Sequence, residues 1–115
     1  MEERRQYGRT FLTFFAQVTN RRNGRLLGYL ADLTTQGALL VGDIRVREKS
    51  ILYLNMELPE DFPNHTHLDL DAEVVWRKPD EDPDLVRIGL KLINLDEDTI
   101  DALEYLLDHY GLHQP

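Results

Sequence analysis

The sequence predicts an all-β domain closed by one C-terminal helix, with six short antiparallel strands wound into a barrel. Three observations predict it. Apolar and polar side chains alternate with period 2 through six segments, turn residues punctuate those segments, and only the last stretch changes to helical spacing. A barrel is favoured over an open sheet because closure leaves few strand edges to aggregate.

The first strand runs from Phe11 to Thr19, with Leu12, Phe14, Ala16 and Val18 on one face. Asn20 to Gly24 then reads as a hairpin turn, since Asn-Gly accepts the positive φ such turns require. A second strand covers about Arg25 to Leu33. A third, Ala38 to Val41, follows the Thr34 to Gly37 connection. Ile51 to Leu58 alternates again, and Pro59 and Pro63 mark a loop. In the fifth strand, Leu68 to Arg77, the residues Leu68, Leu70, Ala72, Val74 and Trp76 oppose Asp69, Asp71, Glu73 and Arg77. A turn from Pro79 to Asp84 leads into the sixth strand, Leu85 to Ile93. Ile100, Leu103, Leu106, Leu107 and Tyr110 then recur at helical spacing, behind acidic residues Asp96 to Asp98 and ahead of a stop at Gly111. That amphipathic helix is expected over a barrel mouth or against a partner.

Length and composition bound the function. At 115 residues, 42% hydrophobic and 30% charged, the chain is one globular domain. With no cysteine, thiol nucleophiles and zinc knuckles drop out. Nothing near Met1 resembles a signal segment or a membrane span, so a cytoplasmic protein without membrane insertion is expected. A net charge of −8 disfavours nucleic acid as a partner. That charge is uneven. Residues 1–25 hold six arginines against two glutamates, whereas residues 26–115 hold seven basic and nineteen acidic residues. A basic arm on an acidic body points to a small, local anion site; an arm lying against that body is the plain alternative.

No enzyme signature emerges. The single serine, Ser50, lies outside any G-x-S-x-G elbow, and no glycine-rich loop has phosphate-binding spacing. His65 with His67, and His109 with His113, are read as solvated, because zinc needs three or four convergent ligands. No metal and no cofactor is expected, and no catalytic residue is assigned.

The informative residues are Arg5 to Arg9 and Asp32 to Gly37. The first stretch sets two guanidinium groups four apart, directly before strand 1; such forks bind phosphate and the guanine acceptor edge bidentately. The second, at the end of strand 2, offers a carboxylate, a hydroxyl and the backbone N–H groups of a glycine turn. Guanine nucleotides need both sets, arginines for phosphate and base acceptors, a carboxylate for base donors.

In this order the two motifs resemble the PilZ domain family, whose signature is R-x-x-x-R before the first strand and [D/N]-x-S-x-x-G after the second. The matching positions are Arg5, Arg9, Asp32, Thr34 and Gly37, with threonine where serine is usual. The six-strand pattern, the segment Arg87 to Leu92 and the closing helix extend the resemblance over nearly the whole chain. It implies a PilZ-type six-stranded barrel that binds cyclic di-GMP, a bacterial second messenger, at its surface. The arginine arm wraps the ligand, and a separate protein effector receives the signal. Residues 1–10 are then a flexible basic arm, 11–95 the barrel and 96–111 the helix of the same domain. Arg4 extends the arm, and by the resemblance such an arginine accompanies binding of a stacked ligand dimer; its ordinary reading is a solvated side chain. Trp76 is a stacking partner by the resemblance, whereas strict alternation assigns it to the core. The competing function is a PilZ-like interaction adaptor that does not bind the nucleotide.

Overall fold

A computed structural model describes residues 10–113. The strands are β1 (Thr10–Asn20), β2 (Leu26–Leu33), β3 (Gly37–Gly42), β4 (Ile51–Glu57), β5 (His67–Pro79) and β6 (Val86–Ile93). Helix α1 (Glu97–Tyr110) and a short strand, β7 (Gly111–His113), follow. Antiparallel pairing runs β1–β2–β3–β6–β5–β4 and back to β1, so the sheet closes on itself as a six-stranded barrel. Among the described residues β7 is the one strand added to the closed barrel, paired to β1 through Thr10–His113 and Leu12–Gly111.

The alternating apolar faces point inward. Val18, Leu30, Leu40, Leu54, Leu70, Val74 and Ile88 are essentially inaccessible, and each such side chain contributes about 1.5–3 kcal/mol of transfer free energy. Leu103, Leu106 and Leu107 of α1 belong to the same core cluster, so the helix packs its apolar face on the barrel. Asp96 caps that helix by accepting a hydrogen bond from the Thr99 N–H at 2.8 Å. Gly111 ends it differently from a left-handed C-cap: its φ is −107°, extended, and the chain passes directly into β7. The sequence pattern does not reveal β7, because a three-residue strand held by main-chain pairing has no period to read.

At the opposite end of β2 from its Leu33 terminus, the β1–β2 turn is closed by the Gly24 N–H donating to the Asn20 carbonyl at 2.7 Å, with Gly24 at φ +73°. From this turn Arg21 reaches across two strands. Its guanidinium donates to the Leu54 carbonyl at 2.7 Å and to Asp71 Oδ1 at 2.6 Å.

Candidate functional site

Two β-bulges shape one flank of the barrel. On β2, Leu30 pairs with Leu40 and Asp32 with Leu39, so Ala31 is an extra residue. On β5, Val74 pairs with Leu90 and Trp76 with Gly89, so Val75 is extra. Each insertion reverses the alternation of the residues that follow. Asp32 and Trp76, which strict period 2 would send inward beside Leu30 and Val74, instead share the outer face. This corrects the core assignment of Trp76: it is 36% exposed, and Val75 is more exposed still.

The consequence is a row across four strands. Asp32 pairs with Leu39, Leu39 with Gly89 and Gly89 with Trp76. On the other side of Asp32 stands Phe11, where the chain enters the barrel. Two positions along, Arg87 pairs with Lys78 and adds two cations to the same face. Lys78 Nζ lies 5.1 Å from the centre of the Trp76 ring. The Arg87 guanidinium approaches Asp80 only to 3.9 Å, a long and half-exposed contact that holds it weakly. Asp32 Oδ1 is shielded from solvent.

The β2–β3 turn completes the rim. Thr34 Oγ1 accepts from the N–H groups of Gln36 and Gly37, both at 3.1 Å, while the Thr34 N–H donates to the Gly37 carbonyl at 2.9 Å. The hydroxyl is therefore engaged in holding the turn. Gly37 is required by space: a β-carbon there would stand 2.7 Å from the Leu90 carbonyl oxygen of β6. Asp32, Thr34, Gly37 and Trp76 thus line one open depression of about 500 Å³, together with Lys78 and Arg87. Arg4, Arg5 and Arg9 lie outside the described residues.

Sequence reasoning missed Lys78, Arg87 and Gly89 as members of this surface. Arg87 and Gly89 lie on the outer face of β6 by plain alternation, opposite Ile88 and Leu90, whereas Lys78 is on the outer face only because Val75 shifts the alternation of β5. A carboxylate, two cations, a bare glycine and an indole can bind a purine nucleotide. The carboxylate meets base N–H donors, the cations meet phosphate, and the ring gives a stacking face. Among the described residues no group of three His, Asp or Glu side chains converges as a metal would require, and no helix is long and apolar enough to cross a membrane.

The family model of the PilZ domain matches residues 3–109. The chain belongs to the PilZ domain family. No curated protein matches it in sequence. Among solved structures, the Bacillus subtilis inhibitor of motility (MotI/DgrA) is similar over 93% of this PilZ domain, with a TM-score of 0.67 and 21% identity. This chain spans 51% of that protein, about half its length. The PilZ domain of YcgR from Escherichia coli, solved with c-di-GMP, is similar with a TM-score of 0.66 and 14% identity, covering 94% of this chain and 92% of the other. At these identities the likeness concerns the fold: a PilZ barrel with one C-terminal helix.

Proposed function

We propose that this PilZ domain is a receptor for cyclic di-GMP that changes conformation on binding and regulates a separate protein in the cytoplasm, with no catalytic step of its own. The observation that carries the reading is the row Asp32–Leu39–Gly89–Trp76, which begins where β1 enters the barrel, directly after the Arg5 and Arg9 motif. Asp32 accepts hydrogen bonds from the N–H groups of a guanine, and Trp76 stacks on a purine face. Lys78 and Arg87 meet the phosphates from the barrel side. Arg5 and Arg9 close over the ligand from residues 1–10, each a bidentate fork. Thr34 shapes the turn and Gly37 lets it sit close to β6. Arg4 contacts a second, stacked ligand molecule. The YcgR domain bound to c-di-GMP lends the ligand class support.

Trp76 is the single tryptophan of the chain, so its fluorescence reports on this surface alone. Titration of the full chain with cyclic di-GMP is expected to change that fluorescence saturably, while GTP and cyclic di-AMP leave it near its starting value. An unchanged signal together with no binding heat would instead support the adaptor that has lost the nucleotide.

A further inference from the structure

The bulge at Val75 turns Trp76 outward and, by the same step, turns Arg77 to the side of its pairing partner Ile88, a fully buried core residue. Beyond the barrel rim Arg77 therefore faces a second hollow, of about 770 Å³, between the loop of residues 43–50 and the β5–β6 turn. Arg45 and Arg47 converge on it from that loop. The loop is fixed in place. Lys49 N–H donates to the Val74 carbonyl at 2.7 Å, and the Val74 N–H donates to the Ser50 carbonyl at 2.9 Å, directly beside the bulge.

Two features define what fits. First, among the described residues no carboxylate stands within ion-pair distance of Arg45, Arg47 or Arg77. Arg45, Arg47 and Arg77 against Asp43 and Asp84 leave the lining one charge positive, with Asp80, Glu81 and Asp82 in the same β5–β6 turn, so among the described residues the three guanidinium groups are the cations open to an incoming carboxylate. Second, apart from Ser50 the remaining lining is apolar, Val46 and Leu85 among it, and no aromatic ring lines it to stack on a base. Guanidinium forks around an aliphatic floor suit carboxylates interspersed with aliphatic side chains.

We propose that this hollow docks an acidic, aliphatic-bearing segment of a partner protein through Arg45, Arg47 and Arg77. It gives the receptor reading above its partner surface and rests on that reading in this respect only; peptide binding is measured without nucleotide, so the two fail separately. The test is selection of a random-peptide display library on the full chain, followed by synthesis of the enriched peptides. Binders rich in Asp or Glu and Leu, Ile or Val are expected. They should lose at least about tenfold in affinity for the triple variant Arg45→Glu, Arg47→Glu, Arg77→Glu. The milder R45Q/R47Q/R77Q variant, with melting temperature matched to the parent, controls for misfolding and should also weaken them. Three results overturn the proposal: binders without acidic enrichment, binders indifferent to both triple variants, or capture of inorganic tripolyphosphate by these arginines with no acidic peptide selected.

Discussion

The indole of Trp76 lies over its cross-strand partner Gly89, in the space that a β-carbon at Gly89 would fill. The bulge at Val75 brings the ring outward, and the missing side chain lets it lie down on β6. Gly89→Ala must therefore lift or turn the indole while leaving the barrel folded. The expected outcome is red-shifted Trp76 emission and weaker cyclic di-GMP binding, by roughly the 1–3 kcal/mol that an aromatic stacking partner supplies. Emission and affinity both matching the parent would show that the ring's position over Gly89 is irrelevant to the ligand.

Asp32→Ala should weaken cyclic di-GMP more than it alters folding. A charge-assisted hydrogen bond is worth about 1.5–3 kcal/mol, or one to two decades of affinity. Calorimetry and thermal melting on the same sample separate the alternatives. A lower melting temperature with unchanged affinity would make Asp32 a structural residue of the β2 end.

How much of this was legible differs by element. The six strands and the helix follow from alternation at positions such as Leu68, Leu70 and Ala72, and from the spacing of Leu103, Leu106 and Leu107. The bulges at Ala31 and Val75 carry no side-chain signature, because an extra residue is fixed by how two strands pair. Strict alternation consequently puts Trp76 and Lys78 inside, while Arg87 is outward by alternation and only the strand order makes it a neighbour of Asp32. Thr34 was legible as a turn residue by type. That its hydroxyl is spent on the Gln36 and Gly37 N–H groups is visible only in three dimensions.

Arg21 supports the fold and not the ligand surface. It sits in the β1–β2 turn, at the other end of β2 from Asp32, and ties β4 to β5 through the Leu54 carbonyl and Asp71. Arg21→Ala should lower the melting temperature by several degrees, since hydrogen bonds to charged groups contribute about 1.5–3 kcal/mol and the Leu54 carbonyl loses its side-chain donor. Affinity for cyclic di-GMP at a temperature where the variant is folded should match the parent.

The acid limb of stability should carry the mark of the α1 cap. The Thr99 N–H holds the Asp96 carboxyl below the usual carboxylate range. A depressed folded value means that this stabilisation is fully present above the unfolded carboxylate value and is lost as pH falls through the folded one. Asp96→Asn keeps a capping oxygen but has no charge to titrate. Melting curves taken down the acid range should therefore show a smaller loss of stability for Asp96→Asn than for the parent; equal losses would remove Asp96 from the acid response.

The central claim is that a cyclic dinucleotide is held between the arginine motif and the Asp32–Trp76 row, and calorimetric titration of the arm variants tests it most directly. The parent chain should bind cyclic di-GMP saturably, at tens of micromolar or tighter. Arg5→Ala and Arg9→Ala should each weaken binding by about one to two decades, the roughly 1–3 kcal/mol of a lost bidentate contact, with melting temperatures near the parent's. Arg4→Ala should be milder and move the fitted ratio from two ligands per chain toward one; a one-to-one parent complex would remove only the stacked dimer. Absence of binding by the parent at tens of micromolar ligand, or arginine variants that bind as tightly as the parent, would contradict the account.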